Sequence, residues 1–264
     1  MHTLDHVVFN ARDRMDEVVA TFDRLGFQVG ARGHHTLGSI NHTVVFAADY
    51  LELLGFPPGA PPPARPELVA RPLGLMATVL GSDDAESTRG DLVAAGLAPR
   101  PVQSFSRPVR LPDGGTADAR FRVTRLEPDA VPGTWFYYCE HLTRAAVWQA
   151  AWQTHPNGVV GIDSLEIALP DPAAAAPAYE RCTGSPARRG PDGVVTLALG
   201  ACTLRLVPAS GTTGMRAIGF GCCSLAPARA VLERARVDFE ASAAGLEVDP
   251  QSALGTTLQF TLRR

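Results

Sequence analysis

Residues 3–10 read Thr3-Leu4-Asp5-His6-Val7-Val8-Phe9-Asn10, an alternating run that predicts a β-strand carrying a histidine. A helical stretch is expected at about Asp13–Leu25, stopped by Gly26-Phe27, and further strands run on to Leu51-Glu52-Leu53-Leu54-Gly55. The order is β-α-β-β-β, with His6 on the first strand and Glu52 on the last. If those two strands lie side by side, an imidazole and a carboxylate enter one concavity, which is half of a metal site.

The unit recurs. A second copy begins with a strand at Gly74–Leu80. Ser82-Asp83-Asp84 then caps a helix through about Ala95, Gly96 stops it, and strands follow near Gln103–Val109, Arg120–Arg125 and Thr134–His141. A third copy begins at Val160–Leu169, with a helix near Ala173–Cys182 and strands near Val194–Leu199 and Cys202–Val207. A fourth begins at Met215, has its helix near Ala226–Ala235 and ends in a strand over 257–262. Short helices beside alternating strands predict an α+β fold of four βαβββ modules, with helices packed outside curved mixed or antiparallel sheets. The expected organisation is one module pair over 1–142 (modules about 1–56 and 74–142), a linker helix over 143–157, and a second, degenerate pair over 158–264. Phe56–Pro66 carries six prolines and is expected to be irregular. Trp148 and Trp152, four apart, suggest the linker helix, ending at His155-Pro156-Asn157-Gly158.

Composition narrows the function. The chain has 264 residues, 45% hydrophobic and 19% charged, with a net charge of −3, which gives no reason to expect nucleic acid or an anionic membrane as partner. No apolar run approaches the roughly 20 residues that span a bilayer, and the first residues enter a strand rather than a secretory signal. Five scattered cysteines without a C-x-x-C fit a reduced, cytoplasmic protein. All 24 basic residues are arginine, so chemistry that needs a lysine (Schiff bases, a phosphate-loop lysine) is excluded.

Several short motifs in order resemble the vicinal oxygen chelate superfamily, and within it the glyoxalase-like domain proteins. They are Leu4-Asp5-His6-Val7-Val8 with Asp13 beyond it, Leu25-Gly26-Phe27, Gly38-Ser39-Ile40-Asn41-His42, Tyr50-Leu51-Glu52-Leu53, Phe136-Tyr137-Tyr138-Cys139-Glu140-His141 and His155-Pro156-Asn157-Gly158. The match covers roughly residues 3–160; the remainder matches by pattern alone. The resemblance implies the glyoxalase/bleomycin-resistance/extradiol dioxygenase-like fold, in which paired modules form a cup and ligands on their first and fourth strands hold a metal. It implies a fold more firmly than a reaction.

Carried onto this chain, the resemblance makes His6 and Glu52 metal ligands. Alternation along the last strand of the second module puts Phe136, Tyr138 and Glu140 on one face, so Glu140 is the expected third ligand and Tyr138 a substrate-binding residue. The first strand of that module offers only Met76 or Ala77, according to whether Asp83 or Asp84 sets the count of seven. The second half offers Ser164, Arg205 and Gln259, so metal chemistry belongs to the first. His141 and His42 are the candidate proton carriers, and Asn41 a further substrate-binding residue. Each has a structural alternative: a core histidine for His6, an arginine partner for Glu52, a strand-end salt bridge for Glu140, a backbone hydrogen bond for Asn41. Gly33-His34-His35 reads as a solvated turn.

The expected cofactor is a divalent ion (Zn, Mn, Ni or Fe(II)). The leading expectation is a metal-dependent lyase or isomerase of a small substrate with vicinal oxygens. The alternatives are a metal-free protein that binds an aromatic or antibiotic-like compound, and an extradiol-type dioxygenase. A homodimer is compatible with the fold.

Overall fold

A computed structural model of the chain describes residues 1–60, 65–209 and 211–263. Residues 61–64 of the expected proline-rich linker lie outside the described residues. The first module holds β1 (Leu4–Arg12), α1 (Met15–Arg24), β2 (Gly33–His34), β3 (Ile40–Val45) and β4 (Tyr50–Gly55). A short helix α2 (Pro66–Ala70) leads to the second, made of β5 (Gly74–Gly81), α3 (Ala85–Ala94), β6 (Gln103–Arg110), β7 (Thr116–Arg125) and β8 (Trp135–His141). The eight strands form one mixed sheet in the order β2-β3-β4-β1-β5-β8-β7-β6. The first and last strands of each module pair in parallel, β1 with β4 and β5 with β8, while β1 and β5 meet antiparallel at the centre. The sheet curls until its two ends touch, where the Thr36 backbone N–H donates to the Ser106 carbonyl at 3.2 Å.

The second half repeats this with β9 (Val159–Leu169), α4 (Pro172–Thr183), β10 (Arg188–Arg189), β11 (Val195–Leu199), β12 (Cys202–Pro208), β13 (Gly214–Cys222), α5 (Ala226–Arg234), β14 (Phe239–Ser242), β15 (Gly245–Val248) and β16 (Thr257–Leu262). Its sheet order, β10-β11-β12-β9-β13-β16-β15-β14, is the same permutation. The fold is therefore α+β, with two eight-stranded curved mixed sheets. Helix ends follow local chemistry: Asp84 accepts from the Ser87 N–H at 2.7 Å and Asp171 from the Ala174 N–H at 2.9 Å, and Gly184 closes α4 in the left-handed conformation.

Helices α1, α3, α4 and α5 pack on the sheet faces away from the cups, and those faces turn toward one another. One core results, in which Phe27 of the first half lies 4.8 Å from Phe220 and 6.0 Å from Phe260 of the second, ring centre to ring centre. Asp49 ties the halves together as well. Its carboxylate accepts from the Ile162 N–H at 3.1 Å, and burial pushes its pKa up to about 7.

The linker differs from expectation. Over 143–157 there are two short 3-10 turns, Arg144–Ala146 and Ala150–Trp152, instead of an α-helix. The tryptophan spacing serves a strap rather than a helix face. Trp148 packs edge-on against Tyr50 and His141, and the Arg144 guanidinium stacks on it at 3.5 Å. His155 fixes the end of the strap by accepting from the Gln28 N–H at 3.0 Å and bonding the Val45 carbonyl at 3.0 Å. This strap and α2 cover the mouth of the first cup; Asn10 holds α2 by donating to the carbonyls of Leu68, Arg71 and Pro72.

Candidate functional site

Alternation along β1 points His6, Val8 and Asn10 into the cup, and along β4 it points Tyr50, Glu52 and Leu54 there. The two strands are adjacent, so His6 and Glu52 meet as the sequence predicts: His6 Nε2 lies 3.7 Å from Glu52 Oε2. Asp5 should face the other way. A shift of register between Leu4 and His6 in the β1–β5 pairing, a β-bulge, instead lets its carboxylate reach His6 Nδ1 at 2.6 Å. The same Asp5 oxygen lies 3.0 Å from His141 Nε2. Burial opposes the charge on Asp5, but His141 and His6 outweigh it and hold the pKa well below the usual carboxylate range. Asp5 thus holds the His6 ring from behind, with Nε2 facing Glu52 and the Tyr137 hydroxyl, 3.3 Å away.

Glu52 is buried and held by Asn41, whose amide donates to Oε1 at 2.7 Å. His35 Nε2 lies 3.8 Å from that oxygen. Burial alone would raise the Glu52 pKa, yet His6, His35 and Asn41 together lower it. His35 is the buried polar residue beside Glu52 that the sequence reading missed. It is not on a solvated turn: its ring is buried, bonded through Nδ1 to the Ser39 hydroxyl at 2.8 Å, while its neighbour His34 is exposed. Burial lowers its pKa to about 4, and Arg107 adds to this. His35 stands seven residues before His42 in a chain with only seven histidines, and that was the available signal.

Three expectations need correction. Glu140 does not join His6 and Glu52: it lies on the opposite face of β8, where it accepts from the Ala85 N–H at 2.9 Å at the start of α3 and pairs with Arg122 at 3.2 Å. Tyr138 goes with it, donating to the Cys182 carbonyl at 2.7 Å in the inter-sheet core. The cup face of β8 carries Tyr137 and Cys139 instead, with His141 beyond them. His42 is also on the far face, bonded to the Gly30 carbonyl at 2.7 Å and accepting from Arg32 at 3.1 Å. The cause is the same in each case: strand parity, which strands buried on both faces do not reveal.

Strand pairing settles the module correspondence. Glu52 lies opposite Val8, two residues past His6, and Tyr137 lies opposite Val79, two residues past Ala77. Ala77 and Tyr137 therefore stand in the second module where His6 and Glu52 stand in the first, as the count from Asp84 gives. In the second half the same positions are Ser164 and Arg205, which lies opposite Glu166, and Ala217 and Gln259, which lies opposite Gly219.

The space enclosed among these side chains is about 20 Å³, room for a water molecule or an ion. A larger open cleft of about 800 Å³ lies beyond Asp5, and Cys139 lines both. Polar groups converge on the smaller cavity, which His6, His35, Asn41, Glu52 and Tyr137 line. In the cleft wall, Asp5, Cys139 and His141 bring one donor atom each within 4.8 Å of one another, a possible metal site. There, however, Asp5 is already shared by two imidazoles, and burial pushes the Cys139 thiol pKa well up.

A cup built from paired βαβββ modules, with a histidine and a glutamate on the first and fourth strands of one of them, defines a vicinal oxygen chelate protein. A family model described as a glyoxalase-like domain matches residues 4–183, and the chain belongs to that family. No curated protein matches it. Among solved structures, a hypothetical protein from Staphylococcus aureus superimposes with a TM-score of 0.74 at 10% identity, over 100% of both chains. A xylose isomerase-like TIM barrel/4-hydroxyphenylpyruvate dioxygenase fusion protein gives 0.63 at 16% identity, over 99% of this chain and 48% of that one. A mutant 4-hydroxymandelate synthase from Streptomyces coelicolor gives 0.61 at 15% identity, over 100% of this chain and 93% of that one. At these identities the likeness is one of fold. Among the described residues, no helix is long and apolar enough to cross a membrane.

Proposed function

We propose that the protein is a metal-dependent lyase or isomerase acting in the first cup on a small substrate with vicinal oxygens. The observation that carries this reading is the 3.7 Å between His6 Nε2 and Glu52 Oε2, with Asp5 fixing the imidazole from behind. That spacing suits two ligands of one ion at bonds of about 2.0–2.2 Å, and the carboxylate behind a ligating histidine is a recurrent support. His6 and Glu52 would hold the ion, and His35, 3.8 Å from the other Glu52 oxygen, is the further donor at hand. Two histidines and one carboxylate also form the donor set of non-haem iron oxygenases, so iron as the resident ion would move the assignment to a dioxygenase.

When bound, the ion would polarise a substrate carbonyl or alkoxide. The chain's own residues supply the rest. Tyr137 keeps its proton, because burial and the nearby Glu52 raise its pKa, and it is placed to donate a hydrogen bond to an oxygen that gains charge. His141 holds its Nδ1 without a partner beside Asp5 and serves as the proton carrier. The strap and α2 exclude water, and the substrate enters by displacing them, since the enclosed space alone is ion-sized.

Ala77 and Tyr137 at ligand positions favour a second reading, a metal-free binding protein. Elemental analysis of untagged protein beside Glu52→Ala decides. Near-stoichiometric metal, lost in the variant, supports the enzyme. No metal in either, even after incubation with zinc, manganese, nickel and ferrous iron, supports the binding protein.

A further inference from the structure

The wall of the cup opposite His6 is cationic. Arg65, Arg107 and Arg125 are all buried, at 6%, 5% and 7% exposure, and all line the cavity that contains Glu52. Arg65 is neutralised by Glu67. Arg125 bonds the uncharged Gln103 side chain and lies over the Tyr137 ring at 5.6 Å, and its Nε has no partner. Arg107 also has an unpartnered buried Nε and, among the described residues, no carboxylate within ion-pair distance. Two guanidiniums thus face one carboxylate, and Glu52 is already engaged by Asn41, His6 and His35. Burying a charge without a carboxylate partner is costly, and among the described residues neither arginine has one within ion-pair distance; the bond of Arg125 to Gln103 leaves its charge uncompensated.

The position of Arg107 is built, not incidental. A Cβ on Gly33 would lie 3.0 Å from Arg107 Cδ and 3.2 Å from its NH1, so the glycine leaves the room that the side chain occupies. Both arginines sit on the β6–β7 hairpin, across the cavity from the β1 and β4 residues.

We infer that Arg107 and Arg125 form a receptor for a carboxylate of the substrate, which places the protein among enzymes of small carboxylic acids. The inference rests on the reading of the His6–Glu52 cup as the reactive centre. A planar carboxylate matches a guanidinium edge by two parallel hydrogen bonds, and its charge offsets the cationic excess. The substrate class is then a carboxylate whose neighbouring oxygens face His6 and Tyr137 while the acid group faces the hairpin.

The test is thermal stabilisation and calorimetric titration with pyruvate and malonate, with inorganic phosphate as a comparison, on full-length protein dialysed against EDTA. Working without metal separates this inference from the proposed ion site, which is read independently by manganese titration of the same proteins. Wild type should be stabilised by the carboxylates. Arg107→Met should lose at least tenfold in carboxylate affinity while melting no lower than wild type without ligand, because it removes an unpaired buried charge. Arg107→Lys, which keeps the charge and loses the fork, should also weaken binding, and it serves if Arg107→Met does not fold. No stabilisation of wild type by either carboxylate, undiminished binding by the variants, or phosphate bound more tightly than the carboxylates would each overturn the assignment. Manganese binding lost in Glu52→Ala but kept in Arg107→Met would leave the ion site standing whichever way the carboxylate result falls.

Discussion

Tyr137 occupies on β8 the place that Glu52 occupies on β4, and its hydroxyl sits 3.3 Å from the same His6 Nε2 that Glu52 approaches at 3.7 Å. The cup is thus built with a twofold plan and furnished asymmetrically. The first module supplies the anionic and imidazole donors. The second supplies a neutral phenol and, at the partner position, the methyl group of Ala77.

This asymmetry separates two glutamates experimentally. Glu52→Ala should abolish stabilisation by added zinc or manganese, read as the shift in melting temperature. Glu140→Ala should leave that shift intact and lower the baseline melting temperature, since it removes the acceptor for the Ala85 N–H and the partner of Arg122, a cost of about 1–3 kcal/mol. A metal response lost in Glu140→Ala and kept in Glu52→Ala would reverse the ligand assignment.

In the proposed ion site, Asp5 supports His6 from behind. Asp5→Asn preserves shape but no longer favours the His6 tautomer that leaves Nε2 free, and metal affinity should fall about 10–100-fold. Calorimetric titration measures it, and an unchanged affinity would show that His6 is not a ligand.

Asp49 should impose a pH dependence unlike that of most carboxylates. Its folded pKa is about 7, raised by burial above the ordinary aspartate value of 3.8. Between those values the unfolded chain has released the proton and the folded chain retains it, so this group's contribution to stability falls as pH rises from about 4 to 7 and then levels off. Asp49→Asn keeps an acceptor for the Ile162 N–H and should flatten that part of the curve, making the variant the more stable protein at pH 8. Denaturant melts at pH 5 and pH 8 test the sign.

Gly33→Ala should damage the site without touching it chemically. The added Cβ would come within 2.5 Å of Asn41 Oδ1 as well as crowding Arg107. Overpacking costs of about 1–3 kcal/mol are expected, with a lower melting temperature and weakened metal binding as Asn41 is displaced from Glu52. A variant with wild-type stability and metal binding would show that the hairpin gives way freely.

The module order, the helix cap within Ser82-Asp83-Asp84 and the His6–Glu52 pair were legible because each has a local cause: alternation, capping chemistry and a repeated spacing. Parity on β8 was not. Trp135, Tyr137 and Cys139 are as apolar and as buried as Phe136 and Tyr138, so no pattern of polarity distinguishes the faces, and a shift of one residue exchanged Tyr137 for Tyr138 and misplaced Glu140. Asp5 was hidden for a related reason, since its reach depends on a bulge set by the pairing with β5. The count of seven back from Asp84 to Ala77 held the correct phase for the second module, and transferring it to β8 identifies Tyr137.

The packing of Phe27 against Phe220 and Phe260 gives the second half a role that its lack of ligands conceals. It is a buttress. Cut at residue 142, the chain would present Phe27, Phe46 and Phe136 to water, at about 1.5–3 kcal/mol for each fully buried ring, and the start of β9 that Asp49 holds would be gone. The second half is thereby held to the first by the face that carries its helices, and the cup is expected to lose its fold when that half is removed.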